Sequence, residues 1–195
     1  NFNSQNEITD TSFIFSEYTN EFNAFLITKD SINTTPVKSA VGIVPRSNIG
    51  QIKISPDGRK LAVAVYKGEK LDGTVDPIEV LDFDNRTGIV SNPLYLSTTP
   101  EGMEYGASFS PDNSKLYVTV GIDPAFPTKP SFQSYLIQYD MLAGDSAAIN
   151  NSKVIIDTTF LTKDSYWGLQ LGPDGKLYMS SLGSFYTGKS SLSVI

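Results

Sequence analysis

One unit of sequence recurs three times, and it constrains the fold more than anything else in the chain. Residues 49–65 read Ile-Gly-Gln-Ile-Lys-Ile-Ser-Pro-Asp-Gly-Arg-Lys-Leu-Ala-Val-Ala-Val. Residues 105–120 read Tyr-Gly-Ala-Ser-Phe-Ser-Pro-Asp-Asn-Ser-Lys-Leu-Tyr-Val-Thr-Val, and residues 167–180 read Trp-Gly-Leu-Gln-Leu-Gly-Pro-Asp-Gly-Lys-Leu-Tyr-Met-Ser. The Pro-Asp pairs start at Pro56, Pro111 and Pro173, so they are 55 and then 62 residues apart. Each copy predicts a β-hairpin. Ile52 and Ile54 alternate with Gln51 and Lys53, the period-two pattern of a strand. Proline fixes φ at the first corner of a type I turn, and the following Asp can accept hydrogen bonds from the turn backbone. Gly58, Asn113 and Gly175 then stand where a positive φ is needed, and Gly and Asn reach that region at least cost.

A second pattern follows each of the first two hairpins. Ile78 to Asp84 leads into Asn85-Arg86-Thr87-Gly88, and Tyr135 to Asp140 leads into Met141-Leu142-Ala143-Gly144. Both carry Asp-x-x-x-Gly, which predicts a tight connection between two strands. Fourth strands are predicted over Pro93 to Ser97 and Lys153 to Asp157. Residues 23–28 and 37–44 read as the second half of an earlier unit, with Ser12 to Ser16 as its second strand. Ser191 to Ile195 reads as the third strand of the last unit. No segment reads as a helix. Each unit is therefore four strands in about 55–60 residues, longer than the roughly 40–45 of a WD40 repeat. The extra length falls between second and third strands, at residues 67–77, 121–134 and 183–190.

Tandem four-stranded antiparallel units are β-propeller blades. The expected fold is all-β: a partial propeller of about three and a half blades, occupying residues 1–195 as one segment. The blade parts are read as 8–47, 48–99, 100–160 and 161–195. A closed ring needs at least about four blades. The remaining blades are therefore expected from another part of the same protein or from another chain, and the segment itself reads as a fragment.

Composition narrows the chemistry. The chain has no Cys and no His. Disulfides, thiol catalysis, zinc ribbons, His-containing triads and His-ligated metals are thereby excluded within the segment. Fifteen Lys and Arg against 21 Asp and Glu give a net charge of −6, which argues against nucleic acid as a partner. No apolar run approaches the ~20 residues of a membrane helix. No secretory leader is read at the N-terminus.

The hairpin motif, followed by a Tyr/Phe-Asp-x-x-x-Gly turn, resembles the YVTN, TolB and WD40-like propeller group. Residues 22–28 (Phe-Asn-Ala-Phe-Leu-Ile-Thr), 81–93 (Leu-Asp-Phe-Asp-Asn-Arg-Thr-Gly-Ile-Val-Ser-Asn-Pro) and 168–178 are more specific. They resemble the propeller region of large Bacteroidota surface proteins associated with gliding motility and type IX secretion. The resemblance covers roughly residues 12–195 and implies an exported protein, on the cell surface or secreted.

In a propeller the short turns lie at one end of the blades. The loops between second and third strands, and the connections between blades, lie at the other. Binding residues concentrate on loops held by a rigid scaffold, so the long-loop end is the expected site. Its candidates are Tyr66, Glu69, Asp72, Asp76, Asp123, Phe126, Lys129, Phe132, Phe185, Tyr186 and Lys189. The starts of the inner strands add Glu101, Glu104, Tyr105, Asp164, Tyr166 and Trp167. Glu104, Tyr105, Tyr166, Trp167, Phe126, Phe132 and Tyr186 are the expected ligand-binding set. Packing between blades is the competing reading for Tyr105 and Trp167. Asp57, Asp112 and Asp174 recur with the turn, so the repeat itself explains them as turn-stabilising. Residues 82–88 fail as a calcium loop, because Arg86 occupies a ligand position and no Glu closes the loop. Asn33 and Asn85 head sequons. No catalytic residue, metal site or cofactor is expected. The favoured function is a non-enzymatic platform that recognises or assembles protein or glycan. The alternative is a lactonase- or hydrolase-type propeller using channel carboxylates, with or without calcium.

Overall fold

In a computed structural model of the chain, the described residues are 19–45, 47, 49–66, 77–99, 102–122, 133–160, 165–182 and 190–195. They form β1 (Glu21–Ala24), β2 (Val37–Ala40), β3 (Gly50–Ile54), β4 (Lys60–Val65), β5 (Ile78–Asp84), β6 (Ile89–Leu96) and β7 (Met103–Phe109). Next come β8 (Lys115–Ile122), β9 (Gln133–Asp140), the helix α1 (Ser146–Asn151), β10 (Val154–Phe160), β11 (Ser165–Leu171), β12 (Leu177–Leu182) and β13 (Ser190–Val194). Four antiparallel sheets result, in the orders β1-β2, β3-β4-β5-β6, β7-β8-β9-β10 and β11-β12-β13. Two are complete four-stranded blades, and the fold is a partial β-propeller. The predicted strand Ser12 to Ser16 lies outside the described residues.

The three hairpins form as the motif dictates. Ile52 pairs with Val63, Ala107 with Val118 and Leu169 with Met179. Gly58, Asn113 and Gly175 have φ of 70°, 63° and 77°. In the first turn Ser55 Oγ donates to Asp57 Oδ1 at 2.6 Å, and the Arg59 N–H donates to the same oxygen at 3.1 Å. The second turn repeats this with Ser110, Asp112 and the Ser114 N–H, at 2.6 and 3.0 Å. In the third, Gly172 replaces the serine, and the Tyr178 hydroxyl donates to Asp174 Oδ2 at 2.9 Å instead.

The Asp-x-x-x-Gly connections diverge. Between β5 and β6 the turn is tight, with the Gly88 N–H donating to the Asp84 carbonyl at 2.7 Å. Between β9 and β10 the chain inserts α1, which the sequence reading did not expect. Asp145 caps it, accepting from the Ala148 N–H at 2.9 Å. Ile149 anchors it in the core. Asn150 then reaches the preceding blade: its Oδ1 accepts from the Ser97 N–H and its amide donates to the Tyr95 carbonyl, both at 2.9 Å. Six residues with one buried side chain carry no helical period, so packing on the neighbouring blade makes this helix.

Strand alternation builds the core between blades. Ala62 and Ala64 of β4 and Ile78 and Val80 of β5 face Ala107, Phe109, Leu116, Val118 and Ile137 of the next blade, all at most 2% exposed. On the other face of the β3–β6 sheet, Val63, Leu81 and Val90 pack with Phe22 and Val41 of the β1–β2 layer.

The blades are arranged radially. Gln51 Oε1, on β3, accepts from the Ala107 N–H of β7 at 3.3 Å and from the Leu169 N–H of β11 at 3.2 Å. Lys53 of β3 donates to Gln170 Oε1 of β11 at 2.6 Å, 117 residues away. In a linear stack, sheets lie about 10 Å apart and the middle blade would hold these two about 20 Å apart. Contact between first strands of non-adjacent blades requires wedge-shaped packing about an axis. Among the described residues, no helix is long and apolar enough to cross a membrane.

Candidate functional site

The long-loop end of this axis is shaped by a repeated irregularity. In β7, Glu104 pairs with Val120 and Ala107 with Val118, so Tyr105 and Gly106 together oppose Thr119. In β11, Tyr166 pairs with Ser181 and Leu169 with Met179, so Trp167 and Gly168 together oppose Ser180. Each is a β-bulge, which bends the strand and re-aims a side chain. β3 keeps a regular register there, with Gln51 opposite Ala64.

A bulge takes a backbone N–H out of the ladder. The hydroxyl across the sheet restores its partner: Thr119 Oγ1 accepts from the Gly106 N–H and Ser180 Oγ from the Gly168 N–H, both at 2.9 Å. Thr119 also donates to the Trp167 carbonyl, tying β8 to β11. A buried N–H left without a partner would cost about 1–3 kcal/mol. Where the strand is regular, Ala64 suffices. Gly106 permits the close approach, because a Cβ there would stand 2.3 Å from the Trp167 carbonyl oxygen.

The bulges bring Tyr105 and Trp167 together at the mouth. Their ring centroids are 4.9 Å apart at 79°, an edge-to-face pair. Tyr66, just beyond β4, completes the group. It stacks on Trp167 at 6.0 Å and 23°, and meets Tyr105 edge-on at 6.2 Å. The indole N–H donates to Ser165 Oγ at 2.9 Å, which fixes the ring's orientation. Each aromatic contact is worth about 0.5–1.5 kcal/mol beyond its buried area. All three rings are partly exposed. The surface they leave suits the apolar face of a sugar ring, a planar side chain or a cation over a ring.

The other expected site residues are placed differently. Glu104 lies beside Tyr105 but on the opposite side of β7, 1% exposed, where the Thr98 hydroxyl donates to its carboxylate. Burial, with a smaller contribution from the Glu104 charge, pushes the Tyr139 hydroxyl far above its ordinary pKa. Tyr166 packs into a core cluster with Leu136, Leu169 and Met179, and its hydroxyl donates to Asp157. Phe126, Phe132 and Tyr186 lie outside the described residues, as do Glu69, Asp72, Asp76, Glu101, Asp123, Lys129, Asp164, Phe185 and Lys189. Thr119, Ser180, Ser165 and Gln51 were not anticipated. A signal for two of them was present: Thr119 and Ser180 stand 13 and 12 residues after the glycine of their aromatic-Gly pairs.

The turn carboxylates lie at the opposite end. Hydrogen bonds from the serine hydroxyls, first Ser55 and then Ser110, lower the pKa of Asp57 and bring that of Asp112 down to about 2. The Tyr178 hydroxyl does the same for Asp174. Among the described residues, no three Asp or Glu side chains converge as a metal-ligand group.

No protein-family model and no curated protein matches the sequence. Solved structures similar to the chain include the Kuenenia stuttgartiensis hydrazine synthase, at 16% identity and a TM-score of 0.45 over 83% of this chain and 42% of that one. The periplasmic gluconolactonase PpgL of Pseudomonas aeruginosa is similar at 14% identity and 0.38, over 100% and 67%. The β-propeller domain of Myceliophteria thermophila Cps50 (Swd1) is similar at 10% and 0.36, over 84% and 61%. The chain spans less than half the length of the hydrazine synthase. Four antiparallel sheets, with the first strands of three of them (β3, β7 and β11) converging, make this chain a partial β-propeller.

Proposed function

We propose that the chain is a non-enzymatic propeller module of an exported cell-surface protein, and that it recognises protein or glycan through its long-loop end. One observation carries the reading: Tyr66, Tyr105 and Trp167 come from three blades and meet at the mouth of the axis. Two of them are set there by bulges that the remaining sequence of each blade supports. A packing role alone accounts for the contacts, but not for partly exposed rings on the end that also carries the long connections. The resemblance to Bacteroidota surface propellers supports the export setting. The net charge of −6 favours neutral or cationic ligands over anionic ones.

Trp167 is the single tryptophan, so its emission reports on the mouth directly. Titration with a panel of soluble polysaccharides and basic peptides should give a saturable change in emission for at least one of them. Tyr66→Ala and Tyr105→Ala should weaken that binding about tenfold or more, the order expected of an aromatic hot spot. Binding untouched by either variant, or no response from any probe, would place recognition elsewhere.

A further inference from the structure

Lys53 differs from the other described lysines in its partner. Lys29, Lys38, Lys60, Lys115 and Lys176 each lie 2.6–3.6 Å from a carboxylate oxygen. Lys153 donates to the backbone carbonyls of Ser97 and Thr98. Lys53 donates to a neutral side-chain amide, Gln170 Oε1, and to no other described group. Gln170 is turned for this by its own Nε2, which donates to the Leu171 carbonyl at 2.9 Å. Burial lowers the Lys53 pKa, as it does for an ammonium group with no anion beside it. Two residues earlier on the same side of β3, Gln51 also has donors to spare. The Ala107 and Leu169 N–H groups both bond its Oε1, which decides the way its amide faces. Its Nε2 turns toward Gly168, where a Cβ would stand 2.9 Å away, and meets no acceptor among the described residues. Both side chains line one cleft of about 830 Å³ between β3 and the β11–β13 sheet. Asp174, the one described carboxylate that lines it, is engaged by the Tyr178 hydroxyl at 2.9 Å and by Lys176 at 3.6 Å.

We propose that this cleft binds a small monocarboxylate ligand, one oxygen on Lys53 Nζ and the other on Gln51 Nε2. The two side chains offer two donor groups, one of them charged, to an acceptor with two oxygens. Charge-assisted hydrogen bonds of this kind are the stronger ones. One cation balances one negative charge, which selects a carboxylate over a phosphate dianion. Glycine at 168 leaves the amide of Gln51 uncovered on that side. The net charge of −6 supplies no long-range attraction for an anion, so recognition rests on these two contacts. The site lies below the mouth and is independent of what the aromatic rings bind.

Proton–nitrogen NMR of the isotope-labelled full chain tests this, with sodium acetate and sodium glucuronate titrated at constant ionic strength. Expected is a saturable movement of the Gln51 side-chain amide signals with both carboxylates, and none with methyl glucoside. Lys53→Gln should weaken binding about tenfold or more, the loss expected of one charged hydrogen bond. Gln51→Glu still accepts from the Ala107 and Leu169 N–H groups but puts a negative charge where the donor was. It should abolish binding. Far-UV circular dichroism confirms that each variant is folded, and either variant alone suffices if the other is not. The proposal is overturned by no saturable response to either carboxylate, or by an equal response to methyl glucoside. Unchanged affinity in folded Lys53→Gln, tighter binding of inorganic phosphate, or movement confined to the Trp167 indole signal would overturn it as well.

Discussion

Asp57, Asp112 and Asp174 show how little a residue needs to do to fix a fold when it recurs. Each carboxylate accepts hydrogen bonds within its own turn, and each has its pKa held below the ordinary 3.8, Asp112 at about 2. A carboxyl with a lower pKa in the folded than in the unfolded state stabilises the fold above the unfolded value. That contribution is lost as pH falls through the folded value. Thermal unfolding should therefore be nearly independent of pH above about 5 and move to lower temperature between about pH 4 and 2. Asp112→Asn should be less stable than the parent at neutral pH and show a shallower acid dependence. An identical acid profile in the two proteins would show that the turn carboxylate contributes nothing. The serine partner was not anticipated, although Ser55 and Ser110 hold the same place before their Pro-Asp pairs.

Among elements, the hairpins could be read because a few residues determine each one. Proline, Asp and a residue tolerant of positive φ specify the turn, and alternation specifies the faces. The bulges in β7 and β11 were harder to read. Gly50 stands six residues before its Pro, whereas Gly106 and Gly168 stand five before theirs. That offset is the trace of an irregular register, but alternation alone does not reveal which residues share a partner. Helix α1 was not legible, because its stability lies in contacts that Ile149 and Asn150 make across blades. The bulge geometry gives an element-level expectation. Gly106→Ala puts a methyl group 2.3 Å from the Trp167 carbonyl, against backbone that cannot yield locally. It should cost about 1–3 kcal/mol, as overpacking does. It should also shift Trp167 emission in the folded protein as β11 is displaced. Unchanged stability in denaturant titration, with unchanged emission, would mean that β7 and β11 are not in contact.

At the scale of the molecule, the repeat spacing established blades and their order. Their arrangement about an axis was inferred from the likeness to propellers, and the contacts of Gln51 and Lys53 give it a physical basis. The mouth was only half legible. Tyr105 and Trp167 could be picked out by their shared place before Gly, and Tyr66 by its place at a strand end. Glu104 and Tyr166, one residue earlier in each inner strand, have the opposite parity and enter the core. Period-two alternation implies that difference once the bulge is known, but the bulge resets the parity at that point. A platform at the mouth depends on blades converging there, so radial packing is the claim on which the rest stands. Its most direct test is a pair of nitroxide labels on Lys53→Cys and Gln170→Cys, in a chain that offers no other thiol. The frozen-solution spectrum should show strong dipolar broadening that disappears in denaturant. A spectrum equal to the sum of the two single-label spectra would contradict the convergence of β3 and β11, and with it the propeller mouth.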